Sequence, residues 1–269
     1  MAVTHFIQTI WSKSILDKLE IDCKLVADCH RKYEGDCKQA QSVKILGVGD
    51  VTIGDYERGK DIDIEDMGDE SQMLVIDQAK YFAFYVDDVD KAQSVPGLPE
   101  SFQEKAVHGL AVARDTFVAN LIKSATNSVT AEALTEDGIK KAIDKAIVKL
   151  RERNFNEEGV IELTPAAYNE FKNKLITLST NNPDFIKRGI VGMYDGFEVK
   201  MSNNLAKDST HSYCDIRGKK AIAFAAQLEK VEACKAEKRF ADIVKGLDVY
   251  GGKVIDNDRI EVIKIPLAG

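Results

Sequence analysis

Two strand-like segments joined by a polar loop limit the fold more than any other part of this sequence. Residues 43–53 and 71–88 are rich in β-branched and aromatic side chains, and the second contains the run YFAFYV. We expect them to pair as a long hairpin in which Gly47, Gly49, Gly54 and Gly59 provide bends and bulges. Such a β-arm has too little core beneath it to be stable alone, so it requires a partner subunit.

The same glycines do not form a nucleotide-binding motif. After Gly47 and Gly49 a dinucleotide fingerprint needs a third glycine, but Thr52 stands at that position. No Gly-Lys-Ser or Gly-Lys-Thr follows at the spacing of a P-loop. The sequence therefore predicts no nucleotide cofactor.

The loop between the two segments carries most of the net charge. Residues 55–70 hold eight acidic residues against Arg58 and Lys60, a balance of −6 within a total of −7. The remainder is nearly neutral, so neither part offers the strongly basic face that nucleic-acid binding normally requires. The acidic residues are Asp55, Glu57, Asp61, Asp63, Glu65, Asp66, Asp69 and Glu70.

Part of this loop also resembles a calcium-binding sequence. Asp61, Asp63 and Glu65 alternate with isoleucines at the two-residue period of a strand. A calcium loop requires glycine at its sixth position, where Asp66 stands. We therefore expect a solvated strand edge without a metal, whose charges discourage unwanted strand pairing.

The cysteines and histidines are dispersed along the chain. The five cysteines include no Cys-x-x-Cys pair, which favours reduced thiols in a cytoplasmic protein over a zinc site or a redox pair. Cys29 and His30 are neighbours, but their spacing to other ligands matches no closed zinc module. His5, His108 and His211 stand apart and define no catalytic set.

No apolar run approaches the roughly 20 residues that span a bilayer. The N-terminus lacks the basic start and the unbroken apolar core of a secretory signal. Residues 6–19 instead carry apolar side chains at the spacing of one helix face. This amphipathic helix either packs on its own core or lies as an arm on a neighbouring subunit.

Residues 99–125 form the strongest predicted helix. Pro99 suits the first helical position, and apolar residues then recur every three or four positions. His108 and Arg114 fall on this helix and are expected to be polar surface residues. A second amphipathic helix is predicted over 131–153.

The remaining sequence predicts further strands and one more helix. The strand GVIEL precedes Thr164-Pro165, a cap and a first-turn proline that begin the helix. Asp195-Gly196 indicates a tight hairpin turn. Strands are expected at 219–224 and 259–265, the latter preceded by turns at Gly251-Gly252 and Asp256-Asn257. The fold class is therefore α+β.

The order of these elements, and several strings within them, resemble the major capsid proteins of tailed bacteriophages with the Hong Kong ninety-seven type fold. The resemblance covers nearly the whole chain, and the shared order of the strings is more specific than any single one. The strings are the acidic hairpin at 61–66, IDQAKYFAFYVDDVDKAQS, the long helix from Pro99, VIELTPAAYNEFKNKL, GIVGMYDGFEVKMSNNL and DVYGGKVIDNDRIEVIKI.

The resemblance implies a division of the chain into named parts. An N-terminal arm is followed by an extended loop that reaches over a neighbouring subunit, a peripheral domain with a long spine helix, and an axial domain around fivefold and sixfold positions. The implied bounds are 1–41 for the arm, 42–85 for the extended loop, 86–130 and 229–269 for the peripheral domain, 99–125 for its spine helix, and 131–228 for the axial domain.

The function that the resemblance implies is assembly as pentamers and hexamers into an icosahedral head that encloses double-stranded DNA. The implied partners are copies of the chain, a portal, possible decoration proteins and weakly contacted DNA, without a membrane, in the cytoplasm of a bacterial host. No long cleavable helix precedes the arm, so a separate scaffolding protein is expected. The residues expected at the inter-subunit tip of the loop are Arg58, Lys60, Asp61, Asp63, Glu65 and Asp66.

The sequence also allows a cross-link between subunits and two alternative functions. Some relatives cross-link a loop lysine to a neighbouring asparagine, but Lys60 alone is poor support for that chemistry. An encapsulin-type cellular compartment would share the fold and enclose enzymes instead of DNA. A hydrolytic enzyme using carboxylates of the acidic tip is the remote alternative, because an exposed hairpin provides little burial to tune their pKa values. We therefore expect a structural protein and not an enzyme.

Overall fold

The computed structural model describes residues 18–19, 23–33, 42–48, 69–87, 98–178, 192–235 and 241–267. Within them three α-helices and eleven strands occur, with the strands mostly in consecutive runs, which confirms the α+β class. The helices are α1 (Leu98–Lys123), α2 (Glu136–Glu152) and α3 (Pro165–Leu178). The strands are β1 (Ser42–Val48), β2 (Asp69–Val75), β3 (Gln78–Asp87), β4 (Ser128–Thr130), β5 (Gly159–Leu163), β6 (Met193–Tyr194), β7 (Phe197–Met201), β8 (His211–Gly218), β9 (Ile222–Lys235), β10 (Ala241–Val254) and β11 (Ile260–Pro266).

A mixed six-stranded sheet has the order β4-β11-β8-β5-β7-β6. The apolar face of α2 is buried against it and against α3, as its spacing predicts. This helix begins at Glu136, five residues later than predicted, because residues 128–130 pair with β11 and the Thr135 hydroxyl accepts from Gly138 N at 3.3 Å. The buried face comprises Ile139, Ala142, Ile143, Ala146, Ile147 and Leu150.

The tight turn at Asp195-Gly196 is confirmed. Its two residues have φ values of 49° and 84°, and they connect β6 to β7 in an antiparallel hairpin. The strand predicted at 219–224 is wrong in its first part, because Ala221 N donates to Gly218 O at 3.0 Å in a turn and β9 begins at Ile222. The sequence reasoning also missed β8, whose residues are buried along almost their whole length.

A long antiparallel sheet has the order β3-β10-β9 and lies against α1. The turn predicted at Gly251-Gly252 is wrong, since both glycines lie inside β10. A Cβ atom on Gly251 would lie 2.1 Å from Val75 O, so the glycine is needed for close approach to the end of β2 and not for a turn.

A separate two-stranded hairpin, β1-β2, confirms the predicted pairing for residues 42–48 with 69–75. The bulge predicted at Gly47 is wrong, since Gly47 lies in regular register opposite Glu70, and the other glycines of this segment lie outside the described residues. The second predicted segment breaks after Val75, and β3 pairs with β10 instead of continuing the hairpin. The two strands therefore belong to different sheets. No helix among the described residues has the length and apolar character needed to cross a bilayer.

Candidate assembly site

The acidic tip predicted as the inter-subunit contact lies outside the described residues. This applies to Arg58, Lys60, Asp61, Asp63, Glu65 and Asp66, which lie in the interval 49–68. The residues on either side of this interval, Val48 and Asp69, pair with each other at the end of the β1-β2 hairpin, so the interval extends from that end.

The base of the hairpin is fixed firmly to the body of the protein. Val43, Ile45 and Leu74 are buried on one face and pack on Ala223 and Ala225 of β9. The side chain of Gln72 donates a hydrogen bond to Ile255 O at 3.0 Å. The hairpin therefore leaves the body from a defined position.

The opposite face of the hairpin is exposed and carries two large apolar side chains, with Lys44 lying opposite Met73. Met73 is 59% exposed and Val75 is 48% exposed, while their neighbour Leu74 is fully buried. Side chains alternate between the two faces of a strand, so both exposed residues lie on the outward face. Apolar side chains grouped on an outward face are typical of a surface that contacts another protein.

Strand β3 shows the same contrast between its faces. Phe82 and Phe84 point towards α1, where the ring of Phe84 lies 5.7 Å from that of Phe102. Tyr81 and Tyr85 point the other way and are 80% and 59% exposed. Tyrosine is enriched at protein interfaces, so this outward pair is a second candidate contact.

Helix α1 is held to the long sheet by a buried ion pair. Arg114 Nε donates to Asp248 Oδ2 at 2.8 Å, and neither side chain is more than 4% exposed. The prediction that Arg114 is a surface residue is therefore wrong. Its guanidinium is the partner that allows the Asp248 carboxylate to be buried.

The next residue on α1, Asp115, binds the N-terminal region of the chain. Its buried carboxylate accepts hydrogen bonds from the backbone N–H groups of Lys24, Leu25 and Val26 at 3.1 to 3.3 Å. It also accepts one from Asn204 Nδ2 at 3.2 Å. We call residues 23–30 the strap, since they connect α1 to both larger sheets.

The strap covers a cluster of charged side chains on the six-stranded sheet. Glu162 of β5 lies opposite Asp215 of β8, and Arg217 Nη1 donates to both carboxyls at 2.7 and 2.8 Å. Arg217 Nη2 also donates to Leu25 O at 3.0 Å. Burial raises the pKa of Glu162 well above its ordinary range and raises that of Asp215 too.

Perturbed carboxyls are found in active sites, but this cluster lacks the access that catalysis needs. The side chains of Glu162, Asp215 and Arg217 are at most 1% exposed. The surface grooves beside α2 are lined by other residues, including Lys149 and Glu152. In the described part of the chain, no group of three His, Cys, Asp or Glu side chains could hold a metal ion.

The sequence contained a signal for part of this network. Arg114 and Asp115 fall in phase with the buried positions of α1, such as Leu110, Ala111 and Val118. Charged residues in an apolar stripe indicate buried partners. The partners themselves are distant in sequence, so their identity could not be predicted.

No protein-family model matches this sequence, and no curated protein matches it. Solved structures do match. A chain from Mycobacterium phage Che8 is 26% identical with a TM-score of 0.78, and the match covers 90% of each chain.

Two further structures share the fold at lower identity. The capsid structure of the cyanophage P-SCSP1u is 14% identical with a TM-score of 0.69, and the match covers 86% of this chain and 85% of that one. A virus-like particle from Pyrococcus furiosus is 13% identical with a TM-score of 0.61, and the match covers 98% and 100% of the respective chains.

Proposed function

We propose that this chain, whose fold is that of phage capsid proteins of the Hong Kong ninety-seven type, is the major capsid protein of a tailed phage. It assembles with copies of itself into an icosahedral head that encloses the genome. The observation that carries this proposal is the likeness to the Mycobacterium phage Che8 chain over 90% of both chains. The protein is a structural component of the virion and not an enzyme.

The described surfaces support a protein that functions as an assembly. The hairpin presents Met73 and Val75 outward, and β3 presents Tyr81 and Tyr85. Burying such side chains against a neighbouring copy would remove apolar surface from water, which favours association. Many weak contacts of this kind, repeated around closed rings, are sufficient to hold a shell together.

The parts of the subunit follow from the same proposal. Residues 1–41 form the N-terminal arm, 131–228 the axial domain, and 86–130 with 229–269 the peripheral domain. The pairing of β3 with β10 supports assigning residues 78–85 to the peripheral domain as well. The extended loop is then 42–77, with Arg58, Lys60, Asp61, Asp63, Glu65 and Asp66 at its inter-subunit tip.

The proposal also includes partners other than copies of the chain. A separate scaffolding protein guides assembly, a portal occupies one vertex, and decoration proteins bind the finished shell. The chain encloses double-stranded DNA with weak contacts, since its net charge is −7. Pentamers and hexamers assemble in the cytoplasm of the bacterial host.

An encapsulin-type compartment is the second candidate function, because the virus-like particle from Pyrococcus furiosus shares the fold. The contents of the particle distinguish the two. The chain is expressed with the genes adjacent to its own, and sedimented particles are treated with nuclease before their contents are extracted. Protected double-stranded DNA supports the capsid, whereas an enzyme cargo without DNA supports the compartment.

A further inference from the structure

We propose that the strap is released from the body of the protein as the pH rises, because the buried charges beneath it are balanced only while they hold one proton. The inference concerns the single chain and does not rest on the proposed function.

Two of the strap's attachments belong to the cluster itself. Leu25 O accepts from Arg217 Nη2 at 3.0 Å, and the Asp28 carboxylate lies 2.6 Å from Lys200 Nζ. Cys29 Sγ donates to the same Leu25 O at 3.4 Å. A change of charge in the cluster therefore acts directly on the strap.

The count of charges shows why a proton is needed. The groups that face one another are the buried carboxyls of Asp28, Glu162 and Asp215, the cations Arg217 and Lys200, and the Cys29 thiol. Glu198 also lies 3.4 Å from Lys200, but its side chain is half exposed and water compensates its charge. The three buried carboxylates against the two cations leave an excess of one negative charge. An uncompensated charge in a dry interior is costly, so the cluster is neutralised by a proton.

The proton belongs to the Glu162–Asp215 pair. Both carboxyls share one guanidinium nitrogen, and burial raises the pKa of each. Asp215 Oδ1 is buried and has no hydrogen-bond donor among the described residues. Because the two groups are coupled, the proton is a property of the pair and not of either residue. Lys200 contributes its charge throughout: burial lowers the pKa of its ammonium, but the hydrogen bond that it donates to Asp28 outweighs this, so the pKa is raised.

Removing this proton leaves a negative charge that only water can compensate. Glu162, Asp215 and Lys200 lie on three adjacent strands, whose backbone ladders hold them in place. The strap, in contrast, belongs to no strand: side chains of Asp115 and Arg217 hold its backbone, and it pairs with β9 only through an isolated bridge at His30. Lifting the strap is therefore the route by which water reaches the charge.

The cysteines provide the test. Cys29 lies in the strap, and burial raises its pKa to about 12, so it reacts only when the strap opens. Cys214 of β8 is fully buried and reports opening of the sheet, while Cys234 is exposed and reports the intrinsic rate. Labelling of the full-length protein with a maleimide, followed by peptide mass spectrometry, measures the three rates separately.

The expected result is a rise in the ratio of the Cys29 rate to the Cys234 rate. The ratio rises by up to about tenfold for each pH unit while the pH is below the raised pKa of the closed pair, and it levels off above that pKa, while the ratio of the Cys214 rate to the Cys234 rate stays constant. The variant Glu162→Gln, which carries no titrating proton at this position, gives a flat ratio. Asp215→Asn gives the same flat profile and provides the test if the first variant does not fold.

Three outcomes would overturn the proposal. The wild-type Cys29 ratio could stay flat over the whole pH range. The labelling rates of Cys29 and Cys214, each relative to that of Cys234, could rise together with pH, which would indicate unfolding of the sheet. A folded Glu162→Gln variant could also keep the wild-type slope, which would assign the pH dependence to another group.

Discussion

The Asp115 carboxylate on α1 accepts a hydrogen bond from the backbone N–H of Leu25 at 3.1 Å, across 90 positions of the chain. The same carboxylate receives the amides of the two flanking strap residues and the side chain of Asn204. One side chain of α1 therefore connects the N-terminal region to the rest of the protein.

Replacing this carboxylate is expected to destabilise the chain. Asp115→Ala leaves several buried N–H groups without an acceptor, which lowers the free energy of unfolding by about 2 to 4 kcal/mol. Urea denaturation measures the loss. The control is Thr116→Ala at the next, exposed position, which we expect to change stability by less than about 0.5 kcal/mol. Equal stability of the two variants would show that the strap is not held by Asp115.

Two glycines offer a matched comparison of steric effects. Gly251→Ala places a methyl group 2.1 Å from Val75 O, so the hairpin base must shift. We expect a loss of about 1 to 3 kcal/mol. Gly109→Ala lies in α1 with no atom within 4 Å of the new Cβ, and it should stabilise the helix by about 0.5 to 1 kcal/mol. Thermal unfolding of both variants tests the difference, and a Gly251→Ala protein as stable as the wild type would contradict the close packing.

The proton held by the Glu162–Asp215 pair sets the sign of a pH effect on stability, because burial raises the pKa of both carboxyls. The folded chain holds the proton more tightly than the unfolded chain, whose pKa is near the ordinary value of 4.5. The contribution is therefore fully present below that pH and is lost as the pH rises through the folded value, by up to about 1.4 kcal/mol per unit.

Urea denaturation of the wild type and of Glu162→Gln at several pH values measures this loss. The difference in free energy of unfolding, wild type minus variant, is expected to decrease with rising pH. A difference that increases with pH would mean that Glu162 is ionised in the folded protein.

The outward tyrosines of β3 are expected to act in association and not in folding. The double variant Tyr81→Ser/Tyr85→Ser should raise the concentration needed for assembly by about tenfold or more. Its thermal midpoint should stay at the wild-type value, because both side chains are exposed in the single chain. Sedimentation across a concentration series measures the effect, with Thr116→Ser as the control. Assembly at the wild-type concentration would exclude this face from the contact.

The helices could be predicted because local patterns determine them. The periodicity from Pro99 gave α1 nearly to its ends, and Thr164-Pro165 marked the start of α3. The Asp195-Gly196 turn was equally local, since only its two residues must adopt positive φ.

The long sheet could not be predicted in the same way. β3 pairs with β10, more than 150 positions away in the chain, and no local pattern specifies that partner. The Gly251-Gly252 pair is a sequence typical of a turn. Gly251 is needed instead because β10 approaches Val75 at the end of β2 too closely for a side chain. The buried charge cluster could not be predicted for the same reason, since Arg217 donates hydrogen bonds to Glu162 and Leu25, which lie far from it in the sequence.

The central claim is that this chain builds a closed shell. It is tested most directly by electron microscopy of the purified protein, expressed alone and together with the genes adjacent to its own. We predict closed icosahedral particles of uniform diameter in at least the second preparation. Monomers alone in both preparations would contradict the claim.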